Sequence, residues 1–347
     1  MISYQLLKVL ILTAISFAFA LAVTPVLLKY LTKLKVGKNI RNDGSTPLFS
    51  KMHAAKQGTP TMAGVLIWGT LTILAVGFWI FDRVFDWQYF HILNFLTRSE
   101  TLLPLGALLG ASIIGMLDDI LDLRGRGYKG RGFRFRYKFI LYTLVAAIGA
   151  YWFYFKLDFS SIAVPFGHVI NLGWWYIPFF ILVVVGTSFS VNQTDGLDGL
   201  AGGTLLISFF AYGLIAYLAG RFELAAFIGV IIGALLAFLW FNIFPAQFFM
   251  GDTGSMGLGT VLAIIAFLVN GVLILPVIGV VFVLEALSYF AQIFWRKVFH
   301  KKLLLSAPLH HHLEAIGWPE ARVTMRLWII SLVFSIIGVM LYFISIK

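Results

Sequence analysis

The chain has 347 residues, long enough for two soluble domains, yet 60% of them are hydrophobic and only 12% charged, with a mean hydropathy of +0.93. A soluble domain carries about 25% charged residues, so the composition excludes a soluble globule, and equally a disordered, coiled-coil or collagen-like chain. The net charge of +11 is assigned to one face of a membrane and no nucleic-acid partner is expected; without cysteine, any metal must bind through oxygen or imidazole.

A bilayer core about 30 Å thick takes about 20 apolar residues of helix. Ten such stretches follow one another: Leu6 to Leu28, Met62 to Phe81, Leu102 to Leu117, Phe139 to Phe155, Trp175 to Val191, Thr204 to Leu218, Ala225 to Phe241, Met256 to Val269, Val272 to Phe294 and Leu327 to Ile346. The third and eighth are short, and only Asn270-Gly271 separates the eighth from the ninth. The first is too long for a signal peptide and lacks a small-residue cleavage site, so it is expected to stay in the mature protein. The expectation is one polytopic all-α domain, residues 1–347, with about ten transmembrane helices.

Alternate loops share the basic residues unequally. The first carries Lys29, Lys33, Lys35, Lys38, Arg41, Lys51 and Lys56; the next on that side carries Arg124, Arg126, Lys129, Arg131, Arg134, Arg136 and Lys138; the last adds Arg296, Lys297, Lys301, Lys302, Arg322 and Arg326. These are 20 of the 26 cations, while Lys8, Arg83, Arg98, Lys156, Arg221 and Lys347 fall on the other side. The positive-inside rule makes the richer face cytoplasmic and places both termini on the periplasmic side. Most of the run from Arg124 to Lys138 reads as an anchor for anionic membrane lipid, with Lys138 at a helix start set apart.

The acids fall at helix ends on that same face. Asp118, Asp119 and Asp122 end the third helix, Asp195 and Asp198 follow the fifth, and Asp252 follows the seventh; the loops 192–203 and 242–255 hold no Lys or Arg. Taken singly, each is explained as a turn or a cap, with Asp252 the N-cap of the eighth helix. Six acids from three loops read instead as a divalent-cation site, and all-oxygen ligation suits Mg2+ or Mn2+. Lys56 precedes a Gly/Thr-rich stretch, Gly58 to Gly64 with Thr61 inside it, whose free backbone N–H groups are expected to face a phosphate. His310, His311 and His312 cannot all face one metal from a helix, which favours phosphate or substrate binding over zinc. Glu285 lies deep in the ninth helix, where a charge must face a protein partner.

Five motifs stand in order along the chain: Asp118-Asp119, the run from Asn192 to Ala201, Trp240-Phe241-Asn242 with Pro245-Ala246-Gln247, Phe249-Met250-Gly251-Asp252, and His310 to His312 followed by Gly317-Trp318-Pro319-Glu320. Together they resemble the polyprenyl-phosphate N-acetylhexosamine-1-phosphate transferases, end to end. The triplet followed by Leu313-Glu314 is similar to the branch that transfers phospho-N-acetylmuramoyl-pentapeptide in peptidoglycan synthesis. The resemblance implies a bacterial inner-membrane enzyme, a homodimer, that moves this group from UDP-MurNAc-pentapeptide to undecaprenyl phosphate with Mg2+, giving lipid I and UMP. It implies Asp252 as Mg2+ ligand and Asp118 and Asp119 as catalytic acids near the acceptor phosphate. On the nucleoside side it implies Lys56, Asn192, Asp195, Asp198 and Phe249, with Phe249 stacking on uracil and Asp198 hydrogen-bonding to it. Thr61, Gly196, Asn242 and His310 carry over as further substrate contacts. His311 and His312 are implied to hold phosphate or hexosamine, with Lys138 and Gln292 in support.

Two positions depart from the pattern. Asp122 stands where the family commonly has Lys, and Phe189 where it usually has Asn. Two rival readings remain: a sister transferase using UDP-GlcNAc, and a secondary transporter. The transporter would need acids near the bilayer midplane and an inverted repeat, and the sequence shows no such repeat.

Overall fold

A computed structural model describes residues 4–34, 37, 56–85, 87–97, 100–128, 132–165 and 167–345. Of the basic residues assigned to loops, Lys35, Lys38, Arg41, Lys51, Arg98, Lys129, Arg131 and Lys347 lie outside these. Eight described helices are long and apolar enough to cross a membrane: α1 (Tyr4–Lys33), α2 (Val65–Val84), α4 (Leu102–Leu123), α5 (Phe135–Lys156), α6 (Tyr176–Thr194), α7 (Leu200–Leu218), α8 (Phe222–Asn242) and α13 (Glu320–Ser345). A short α3 (Gln88–Leu93) follows α2.

The remaining two predicted segments differ from simple spans. The eighth is α9 (Asp252–Leu268), whose residues from Thr253 onward are all buried. A helix that is apolar all round must be enclosed by others, and α9 runs through the middle, packed on α4 and α6. The ninth is broken at Gly279 into α10 (Leu275–Ile278) and α11 (Val280–Phe299), bent by 80°. Beyond it, α12 (Leu309–Ala315) carries the histidine triplet. The all-α expectation holds with one exception. Between α5 and α6 an antiparallel hairpin pairs β1 (Ser161–Val164) with β2 (His168–Asn171), Ile162 opposite Ile170.

The ends of the bundle are fixed by polar contacts. Lys8 of α1, 4% exposed, pairs with Glu223 of α8 at 2.6 Å and donates to the Asn94 carbonyl at 3.0 Å, which accounts for a lysine within an apolar helix. Near the far end of α13, Tyr342 Oη donates to the carbonyl of Val269, just past α9, at 2.8 Å. The opposite ends of α8 and α9, at Asn242 and Asp252, belong to the polar face described next. The outer ends of α1 and α13 therefore lie on one side of the bundle and that polar face on the other.

Candidate active site

Close backbone approaches create the site. Asp252 is the first residue of α9, after Gly251 at φ 73°, so it is not the cap that a local reading allowed. A Cβ on Gly251 would stand 2.7 Å from Asp119 Oδ2 and 3.1 Å from Thr61 Oγ1, and one on Gly115 of α4 would stand 2.3 Å from the Asp252 carbonyl oxygen. Glycine at both positions lets the start of α9 sit directly against α4. The cap comes from α4: Asp119 accepts the backbone N–H of Asp252 at 3.2 Å and of Thr253 at 3.0 Å, satisfying two donors that a helix start leaves open.

Around Asp252 the structure assembles a first polar cluster. Lys138, in the first turn of α5, pairs through Nζ with Asp118 Oδ2 at 2.7 Å and also with Asp252 Oδ2. Asp118 Oδ1 accepts the Phe133 N–H at 2.7 Å. Asn192 Nδ2 donates to Asp252 Oδ1 at 2.7 Å and to Ser255 Oγ at 3.0 Å, and the Gly251 N–H is received by Asp195 Oδ2 at 3.2 Å. Four helix ends thus meet here. Consecutive residues on a helix point about 100° apart, and Asp118 and Asp119 differ accordingly: one faces Lys138, the other the start of α9.

A second cluster forms beside Phe249. Lys56 Nζ lies 5.7 Å from the Phe249 ring centroid and pairs with Asp198 Oδ1 at 2.5 Å and with Glu320 of α13. Asp198, 3% exposed, also accepts the Ala246 N–H at 2.9 Å through Oδ2. The six acids therefore do not form one site: Asp198 belongs to this cluster, and Asp122 lies one helical turn beyond Asp118. Among the described residues no three His, Asp or Glu side chains converge on one point. Asp118 and Asp252 do flank a common cation, the Lys138 ammonium. Two carboxylates fit a hard divalent ion that takes its other ligands from water or phosphate.

Other expected contacts are differently placed. The N–H groups of Ala63 and Gly64 are not free for a phosphate: they donate to the carbonyls of Phe249 and Met250, each at 2.9 Å, while Phe249 N–H donates to Pro60 at 2.8 Å. The residues around Thr61 thus form a ladder that fixes Phe249. Asn242 uses Oδ1 for the Gly199 N–H and Nδ2 for the Phe248 carbonyl, so both amide groups serve backbone. Gln292 hydrogen-bonds only to the backbone of Leu303 and Leu304 in its described contacts. The three histidines take three partners: His310 Nδ1 with Glu285 at 2.9 Å, His311 Nδ1 with Glu314 at 2.9 Å, and His312 Nδ1 with the Leu305 N–H at 3.3 Å. His310 packs on Gly196, where a Cβ would fall 2.2 Å from its Nε2. Glu285 is fully buried and its partner is this histidine. Glu320 had no role assigned from sequence; its motif was visible, its partners were not.

An apolar groove of about 810 Å³ opens on the first cluster between α5, α6 and α11. Lys138, Asn192 and Gln193 lie at its polar part, and Phe139, Leu182, Phe189 and Phe290 along its walls. Phe189 joins an aromatic group, its ring centroid 5.5 Å from that of Phe135 and 5.9 Å from that of Tyr142.

Residues 101–270 match the model of glycosyl transferase family 4. A phospho-N-acetylmuramoyl-pentapeptide-transferase of Chloroflexus aggregans is 39% identical over 347 residues, covering 96% of this chain and 89% of the relative. Enzymes of the same name from Geobacillus kaustophilus, 37% identical over 95% of this chain and 97% of the relative, and Desulforapulum autotrophicum, 37% over 94% and 90%, are similarly close.

Proposed function

The chain belongs to the phospho-N-acetylmuramoyl-pentapeptide transferases, and on that premise we propose that it transfers phospho-MurNAc-pentapeptide from UDP-MurNAc-pentapeptide to undecaprenyl phosphate, giving lipid I and UMP. The observation that carries this reading is the groove opening on Lys138. An acceptor with a long prenyl tail and a phosphate head needs an apolar channel ending at a cation, and the groove along α5, α6 and α11 ends at Lys138 and Asn192.

The donor takes the second cluster. Its uracil stacks on Phe249, with Lys56 and Asp198 at the edge of the ring. Phe249 and Asp252 are three residues apart, a reach of at most about 10 Å, on the scale of a nucleoside with its first phosphate. The diphosphate then meets Lys138, Asp118 and Asp252. Both substrates are anionic, so their approach needs positive charge fixed in place beforehand, and Lys138 is held by two carboxylates before either arrives. Asp252, with Asp118, would hold Mg2+, whose charge would offset that of the diphosphate. A bond forms from an acceptor phosphate oxygen to the sugar-bearing phosphorus as the bond to UMP breaks.

This reading includes a single domain with ten spans, counting α9 and the broken α10–α11 pair, in the bacterial inner membrane. Both termini are periplasmic and the protein is a homodimer. The polar clusters then face the cytoplasm, the side with most of the basic residues. The test supplies purified protein with undecaprenyl phosphate, Mg2+ and one UDP-sugar at a time. UMP release with UDP-MurNAc-pentapeptide is the expected result; consumption of UDP-GlcNAc alone overturns the donor assignment.

A further inference from the structure

Glu320 joins the second cluster from the helix most distant in sequence, 264 residues from Lys56 and 122 from Asp198. It is the first residue of α13, and its side chain is 10% exposed. One oxygen, Oε1, does two things. It receives the Lys56 ammonium, and it accepts the backbone N–H of Asp198 at 2.7 Å. Thr324, one turn further along α13, donates through Oγ1 to the Asp198 carbonyl at 3.2 Å, so α13 grips this turn at two points. Lys56 consequently stands between two carboxylates beside the Phe249 ring, and the Asp198 turn is pinned by the same oxygen that pins Lys56.

We propose that Glu320 is a positioning residue of the nucleoside pocket: by bridging Lys56 and the Asp198 backbone it keeps the ammonium and the Asp198 carboxylate in register beside Phe249. A flexible lysine stem ordered in advance loses less freedom when a nucleotide binds. The inference rests on the reading that Phe249 and Lys56 hold the uridine of the donor. It separates donor from acceptor, because the acceptor groove is lined from α5, α6 and α11 and not from α13.

The experiment uses the full-length purified enzyme with the variants Glu320→Gln, Glu320→Ala, Lys56→Ala and Phe249→Ala. UMP affinity is measured by calorimetry and KM for each substrate at saturation of the other. Glu320→Gln keeps an oxygen for the Asp198 N–H and loses the charge facing Lys56. It should weaken UMP about tenfold, the size of a lost charged hydrogen bond. Glu320→Ala should weaken it further, since the Asp198 N–H then lacks an acceptor. Donor KM should rise in step while the acceptor KM stays within about twofold, a split that general loosening of the fold does not produce. On a Lys56→Ala background, Glu320→Gln should add little, because its charge acts through Lys56. Should Glu320→Ala fail to fold, Glu320→Gln carries the test alone. Unchanged UMP affinity in Glu320→Gln, with Phe249→Ala and Lys56→Ala both weakened, overturns the proposal and leaves the uridine assignment standing. So does an effect of Glu320→Gln that adds fully to that of Lys56→Ala. Unchanged affinity in Phe249→Ala and Lys56→Ala overturns the uridine assignment, and the proposal with it.

Discussion

Lys138→Met removes the ammonium held between Asp118 and Asp252 while keeping most of the side-chain volume. The Asp118 pair spans 2.7 Å, with side chains 18% and 8% exposed, so neither charge is fully hydrated. Removing one partner of a buried pair costs about 3–5 kcal/mol; partial solvent access brings this to about 2–3 kcal/mol. The variant then holds two facing carboxylates, the arrangement that recruits a divalent cation. An ion at a hundred times its dissociation constant returns about 2.7 kcal/mol, which matches the loss. The melting temperature of Lys138→Met in detergent should therefore drop in EDTA and recover with millimolar Mg2+, whereas the wild type, with its own ammonium in place, should respond much less. Turnover should not recover, staying at least about a hundredfold down, because the ion restores the fold but not the charge that meets the acceptor phosphate. A Lys138→Met melting curve indifferent to Mg2+, or turnover near the wild-type rate, would refute this reasoning.

Three further outcomes are expected. Asp252→Asn should stay folded and nearly lose turnover, with wild-type activity abolished by EDTA and restored by Mg2+; a fully active variant removes the metal assignment. Phe249→Ala should weaken calorimetric UMP binding by about 1–3 kcal/mol, the usual worth of base stacking, and Asp198→Ala should weaken it too while also lowering the melting temperature, because two described donors lose their acceptor. Asp118→Asn should lower the rate at saturating substrate, whereas Asp119→Asn should mainly lower thermal stability through the start of α9; indistinguishable rates, melting curves and Mg2+ titrations in the two variants would defeat this division.

Legibility in the sequence followed the range of the forces involved. All ten apolar segments correspond to helices because burial of a 20-residue stretch is a local property of composition. The break at Gly279 had a local signal, Pro276 and Gly279 within the apolar run from Val272 to Phe294, but reading the run as one span passed over it. The hairpin had a local signal, β-branched residues on both sides of Pro165 and Gly167, which the membrane reading passed over. In the site, a position near a helix end predicts which face a side chain reaches, and so Asp118, Asp119, Asn192, Asp195 and Asp252 were all placed at one face. It does not predict lateral partners. Asp198 turned to Lys56 rather than to Asp252, the N–H groups of Ala63 and Gly64 turned to the 249–250 carbonyls, and Glu320 arrived from the last helix; each depends on how helices cross.

The segment 249–252 ties these placements together. Its backbone is held on one side by the Pro60 to Gly64 ladder and on the other by Asp195 and Asp119. It carries the ring beside Lys56 at one end and the carboxylate beside Lys138 at the other. Gly251 between them sits at φ 73° with no room for a side chain, so the backbone spacing from Phe249 to Asp252 is set by the fold. On the proposed uridine placement, a donor that stacks its base at Phe249 directs its diphosphate toward Lys138. On that same placement, base recognition contributes to catalysis by fixing where the reacting phosphorus stands relative to the proposed acceptor groove.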